Sequence, residues 1–257
     1  MRIASIARAW PGFAFIALLL AGIEAAVQNG LVKRSLLPAP SDVGKVLWEL
    51  FADHQVFAPL SDTLLRLAAG FGIGATIGIV GGIALGYRPH LYAIFEPLIE
   101  FFRPIPKAAL VPPLILFLGV GNAMKITSIA LAVFFPILIN TLQGARGVEP
   151  VLLQTARTLG ASPLAIIWKV IFPSSLPFIF SGMRLALALG LIVAVISEMI
   201  AGTGGLGFLI IDMQRSFRVR QMYAWLAILA VVGYLLNLLL LYVEHRCLFW
   251  QQRRETP

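Results

Sequence analysis

Gln154-Thr155-Ala156-Arg157-Thr158-Leu159-Gly160-Ala161-Ser162-Pro163, with the return to apolar sequence at Val170-Ile171-Phe172-Pro173, decides how this chain is read. The stretch is semi-polar and helix-capable, and it separates two long apolar runs. Val151, Leu152, Ala156 and Leu159 fall at helical spacing, and Gly160 is suited to end that helix in a left-handed conformation. Ser162-Pro163 suits a second helix start, with the cap at Ser162 and the proline in the first turn. Leu164, Ile167, Trp168 and Ile171 then supply a second apolar face. The prediction is a helix–glycine–helix elbow over residues 144–173, too polar to span a bilayer and shaped to dock in the cytosol.

Outside the elbow the chain is unusually apolar: 59% of its 257 residues are hydrophobic and 12% charged, with a mean hydropathy of +0.90. Soluble domains sit nearer half apolar with about twice this charge density, so much of the excess must face lipid. Apolar segments fall at 10–27, 62–86, 91–118, 123–143, 174–201 and 222–244. Each is near the ~20 residues that a bilayer core requires, which predicts an all-α integral membrane protein of about six spans. Arg2 and Arg8 precede the first run, and Ala25-Ala26 imitates a signal-peptidase site. The run is long for a signal segment, and Glu24 suits the far interface, so a retained first span is expected. Residues 1–60 then form an N-terminal span with an outer helix, and residues 61–257 the core.

An even number of spans puts both termini on one side. With Arg2 and Arg8 inside, Arg88, Arg146, Arg157, Lys169 and Arg246 are inside too, while Lys33, Arg34, Lys45, Arg215, Arg218 and Arg220 are outside. The positive-inside bias is real but modest. The net charge of +8 reads as topology and lipid headgroup contact, not as a nucleic-acid surface.

Residues 41–53, SDVGKVLWELFAD, carry Val43, Val46, Leu47, Leu50 and Phe51 at helical spacing, with Ser41 as the expected N-cap. This is either an amphipathic helix on the outer interface anchored by Trp48 or a packed connecting helix. The second span repeats glycine at Gly70, Gly74, Gly78 and Gly82, which predicts close approach of another helix backbone. In the third, Phe101-Phe102-Arg103-Pro104-Ile105-Pro106-Lys107 and Pro112-Pro113 must kink or break the helix. Broken backbone at membrane depth survives only where it is buried or lines a wet cavity, so residues 100–113 are expected along a pathway.

Ionisable residues inside spans are candidates for function. Glu96, Glu100, Arg103 and Lys107 share one helical face. Either Arg103, alone or with Lys107, meets a passing anion while Glu100 orients the cation, or Glu100 and Arg103 merely neutralise one another inside the protein. Arg184 and Glu198 are separated by about 21 Å of helix and cannot pair. Arg184 is expected to snorkel to the cytosol, and Glu198 to stand near an outer gate on the pathway.

Several chemistries are excluded. The single cysteine, Cys247, allows no internal disulfide, and His54, His90 and His245 have no metal-ligand spacing. Gly202-Thr203-Gly204-Gly205-Leu206-Gly207 fits G-x-G-x-x-G but follows an apolar helix instead of a strand, so it reads as a flexible turn. There is no G-x-x-x-x-G-K-[ST] phosphate loop and no nucleophile–base set. The chain carries no metal, cofactor or catalytic site by this reading.

The elbow resembles the cytoplasmic E-A-A-x-x-x-G-x9-I-x-L-P signature of ABC-importer permeases. Gln154-Thr155-Ala156 stands for E-A-A, Gly160 for the glycine and Val170-Ile171-Phe172-Pro173 for I-x-L-P. Gln for Glu, Thr for Ala and Phe for Leu depart from the strict form, and the first removes a charge that would bridge to an ATPase. Leu37-Pro38-Ala39-Pro40-Ser41, Phe102-Arg103-Pro104-Ile105-Pro106, Phe134-Phe135-Pro136 and Ser197-Glu198-Met199-Ile200 are similar to the nitrate/sulfonate/taurine branch. The resemblance implies a type I importer fold, with two permease copies in a bacterial inner membrane and both termini cytoplasmic. It implies a cytosolic ATPase dimer, holding ATP and magnesium, that grips Gln154, Thr155, Ala156, Gly160, Ala161, Ser162 and Pro163, with Pro173 closing the signature. It also implies an extracytoplasmic solute-binding protein and a small solute such as a sulfonate, taurine or nitrate. Relatives that import vitamins or their precursors keep that substrate class open. The rival classes are a stand-alone secondary transporter, opposed by the absence of an internal repeat, and a membrane enzyme or structural subunit, opposed by the missing catalytic set.

Overall fold

The computed structural model describes residues 3–249, with side chains from residue 11 onward apart from residue 13. All regular structure among the described residues is helical: α1 Ile3–Gln28, α2 Pro40–Ala52, α3 Phe57–Tyr87, α4 Pro89–Phe102, α5 Val111–Leu118, α6 Asn122–Arg146, α7 Pro150–Thr158, α8 Pro163–Ile166, α9 Phe172–Ala201, α10 Leu206–Arg215 and α11 Val219–Cys247. A 3-10 turn, Lys107–Leu110, leads into α5, and a π-helical turn, Ile167–Ile171, joins α8 to α9.

Among the described residues four helices are long and apolar enough to cross a membrane: α3, α6, α11 and the continuous run Pro163–Ala201. The third predicted span is present as a broken one. α4 and the segment Lys107–Leu118 meet at 86°, because Pro104 and Pro106 cannot donate the backbone hydrogen bonds a straight helix needs. The predicted first span lies within α1, whose apolar stretch with described side chains is Ala14–Gln28.

α6 sits at the centre, between α3 and α9. Glycine spacing makes this possible. A Cβ on Gly70, Gly74 or Gly82 would come within 2.6, 2.5 and 2.6 Å of Ile129, the Ala130 carbonyl and Thr141, so α3 lies backbone-to-backbone on α6, and Gly78 continues the stripe. In a membrane, where burying apolar groups gives no net hydrophobic gain, such close packing supplies the association energy. Ile129, Val133, Ile137 and Ala186 fill the seam without exposed surface.

The chain direction defines two faces. α3 ends, α6 ends and α8 begins on one face, where Ile83, Ala145, Ile166 and Ile171 pack together beneath the elbow. On the opposite face lie α2, the Gly202–Gly205 turn and α10, with Val46, Leu50, Leu206, Ile210 and Trp225 in a second cluster. α10 is a helix that the span pattern does not reveal. α2 is both an amphipathic surface helix and a packed one, since Val46 and Leu50 are buried while Trp48 is 77% exposed. Its start departs from expectation. Ala39 holds the N-cap position and Pro40 the first turn, so Ser41 lies inside the helix and does not cap it. The cap comes from α1: Glu24 accepts from the Ser41 backbone N–H at 3.0 Å and from its hydroxyl at 2.7 Å. An acidic group at a helix N-terminus offsets the unpaired N–H groups there.

Candidate functional site

The elbow is built as the local sequence dictates. α7 ends at Thr158, and Gly160 follows at φ +75°, where any side chain would be strained. Ser162 caps α8 by accepting from the Ala165 N–H at 3.3 Å, and Pro163 occupies its first turn. The apolar face differs in part from the predicted one. Ile166 and Ile171 are buried, whereas Leu164 and Trp168 point outward. A π-helical turn at Ile167–Ile171, just before Pro173, which offers no N–H, departs from the 3.6-residue period where Trp168 turns outward. The second arm is also not a separate helix, because Pro163–Ala201 runs unbroken from the elbow to the far face. Gln154 and Thr155 are exposed, as are Val151, Leu152, Leu159 and Trp168, while Ala156 and Ala161 face the cluster below. The elbow thus presents a row of exposed large apolar groups among polar ones.

A cavity of about 400 Å³ lies at mid-depth, walled by the break in the third span, the middle of α6 and the middle of α9. Its wall is largely apolar, with Phe135, Leu189 and Val193, and its polar groups are Arg103, Lys107 and Asn140. The Lys107 ammonium donates to the Phe102 carbonyl at 2.5 Å and stands 4.2 Å above the Phe135 ring. Cation–π contact of this kind holds a charge without cancelling it. Glu100 does not reach the cavity. Its carboxylate lies 3.7 Å from Arg103, and both side chains are more than half exposed, so neither forms the buried neutral pair considered from sequence.

Glu198 requires the larger correction. It has 0% exposure and does not line the mid-depth cavity. Its carboxylate accepts from Arg66 at 2.8 Å, from the Thr63 hydroxyl at 3.0 Å and from the Gly207 backbone N–H at 3.0 Å. Arg66 in turn donates to Asn122 at 2.8 Å and to the Gly204 carbonyl at 3.1 Å, and lies 3.3 Å from Asp62. Lys125, also buried, donates to the Thr203 carbonyl. The Gly202–Gly205 turn, expected from sequence to be flexible, is therefore strapped by two cations, Arg66 of α3 and Lys125 of α6, while Glu198 of α9 holds the Gly207 N–H just beyond it. Arg66, Thr63 and Lys125 escaped sequence reasoning, although two of them are ionisable residues inside predicted spans and so carried a visible signal. Arg184 pairs with Glu244 of α11.

A broken span around a central cavity, with an exposed elbow continuous with a membrane helix, defines a transport permease subunit. The chain belongs to the family of binding-protein-dependent transport system inner membrane components, whose family model matches residues 74–247. It is 33% identical over 225 residues to the taurine transport system permease protein TauC of Escherichia coli (strain K12), covering 86% of this chain and 82% of that one. It is also 33% identical over 226 residues to the putative aliphatic sulfonates transport permease protein SsuC of Bacillus subtilis (strain 168), covering 88% and 82%. Among solved structures it superposes on a chain of the inward-facing MetNI methionine ABC transporter, with a TM-score of 0.57 at 20% identity, over 82% of this chain and 98% of that one. That likeness establishes the type I importer fold.

Proposed function

We propose that this permease subunit imports a small oxyanion, a sulfonate before others, by alternating access driven by a cytosolic ATPase dimer that binds ATP and magnesium. The observation that carries the substrate class is the mid-depth cavity, whose wall is largely apolar and whose charged groups are the cations Arg103 and Lys107. Such a wall suits a short apolar body with an anionic head. The names of the two relatives at 33% identity, taurine and aliphatic sulfonates, support the same class.

In this reading the ATPase pair grips Gln154, Thr155, Gly160, Ser162 and Pro163 on the elbow, while Ala156 and Ala161 seat the elbow on the cluster beneath it. Closure of the ATPases on ATP moves the elbow, and the unbroken helix Pro163–Ala201 carries that motion past the cavity to the opposite face. Pro173 and the π-helical turn before it form the joint between elbow and span. A second copy of the permease completes the pathway, and the exposed Leu116 and Phe117 on α5 suit that contact. An extracytoplasmic solute-binding protein delivers substrate at the face opposite the elbow, and both termini lie in the cytoplasm of a bacterial cell. The test is ATP-dependent uptake of labelled taurine, alkanesulfonate, nitrate and a vitamin precursor by vesicles holding the complete transporter. Selective uptake of a sulfonate is expected, and selective uptake of the uncharged precursor would overturn the substrate class.

A further inference from the structure

On the face opposite the elbow, the segment after α1, the polar side of α2 and the α10–α11 turn enclose a polar cleft of about 640 Å³. Arg34, Lys45, Arg218 and Arg220 line it with Asp42 and Glu49, so positive charge exceeds negative by two. Among the described residues none of the four cations is hydrogen-bonded through its side chain or ion-paired, although Arg34 lies near enough to Glu24 to interact with it electrostatically. The 29-residue helix α11 begins in the same cleft. Its N-cap, Arg218, offers no side-chain acceptor, so the first N–H groups of α11 add to the positive field.

The lining of this cleft includes one aromatic ring, that of Phe217. Phe217 holds φ +54° and is 89% exposed, a left-handed conformation that costs a bulky residue ~1–2 kcal/mol. Trp48, on the neighbouring α2, is also exposed. Aromatic groups beside cations at the ends of membrane helices mark the level of lipid headgroups.

We infer that this cleft binds the phosphate headgroup of an anionic phospholipid in the leaflet opposite the elbow. The phosphate sits among Arg218, Arg220, Lys45 and the start of α11, and Phe217 and Trp48 enter the boundary with the acyl chains. Lipid is favoured over an acidic soluble protein because the outward aromatics of α2 and of the α10–α11 turn are removed from water by a bilayer in every state of the transporter. The site is independent of what the central cavity carries.

The test uses the full-length protein in mild detergent, titrated with phosphatidylglycerol, phosphatidylcholine or inorganic phosphate. Retained lipid is read by native mass spectrometry, and protection by thermal unfolding. Phosphatidylglycerol is expected to be retained at least tenfold more tightly than phosphatidylcholine. Arg218→Gln combined with Arg220→Gln should weaken it roughly tenfold or more, with unfolding in phosphatidylcholine unchanged. Lys45→Gln, on the exposed side of α2, gives the same reading should the double variant not fold. Equal retention of the two lipids would overturn the proposal, as would variants that keep full phosphatidylglycerol binding. Protection by inorganic phosphate equal to that by phosphatidylglycerol would assign the cleft to a soluble anion instead. Loss of docking to an acidic solute-binding protein with lipid retention intact would assign it to that protein.

Discussion

Arg66 and Glu198, 132 positions apart in the chain, meet at 2.8 Å around a carboxylate with no exposed surface. The pair ties α3 to α9 and, through the Gly204 carbonyl and the Gly207 N–H, to the turn that leads into α10. Breaking one side of a buried ion pair strands the other charge. Glu198→Ala should therefore destabilise the protein by about 3–5 kcal/mol, and Arg66→Leu with Glu198→Leu should cost less than the two single changes added together. Thermal unfolding in detergent across the four proteins of that cycle is the check.

The glycines of α3 differ in what an added side chain would meet. Gly74→Ala brings a methyl within 2.5 Å of the Ala130 carbonyl and should destabilise by about 1–3 kcal/mol. Gly72→Ala meets nothing within 4 Å and should be neutral or stabilising by up to ~1 kcal/mol through helix propensity. Parallel melting of the two variants distinguishes packing from composition.

What was legible in the sequence follows the range of the interaction. The elbow was legible because its signals are local: the left-handed glycine at 160 and the Ser162-Pro163 cap act within a few residues. The break in the third span was equally local, since a proline removes its own donor. The Arg66–Glu198 pair was not legible, because it depends on which helices neighbour one another, and each residue alone looks like a charge near a span end. The cap on α2 failed for the same reason: Ser41 is a good local cap, but Glu24 from another helix serves the N-terminus instead. Trp168 lies within a π-helical turn, which the 3.6-residue period cannot anticipate.

At the elbow, Gly160→Ala forces an alanine into a left-handed conformation at a cost of ~1–2 kcal/mol, whereas Asn tolerates that region. Gly160→Ala should reduce ATPase association and uptake, and Gly160→Asn should retain most of both. Co-sedimentation with the ATPase and uptake rates in the same membranes provide the comparison.

Within the third span the three charges should behave differently. Arg103→Gln and Lys107→Gln, at the cavity wall, should raise the KM for anion uptake several-fold without releasing the ATPase. Glu100→Gln should change little, because its contact to Arg103 is long and exposed, and such pairs contribute about 0–1 kcal/mol. Uptake kinetics on the three variants decide the matter.

The exposed elbow is the proposed meeting place of this permease and its ATPase. This role is tested most directly by affinity purification from native membranes in mild detergent, comparing the parent chain with Leu159→Asp at a residue 80% exposed on that surface. A stoichiometric ATPase subunit is expected with the parent and its loss with the variant, both permeases remaining folded. A folded parent chain that purifies without any ATPase, or an ATPase retained equally by both, would contradict it.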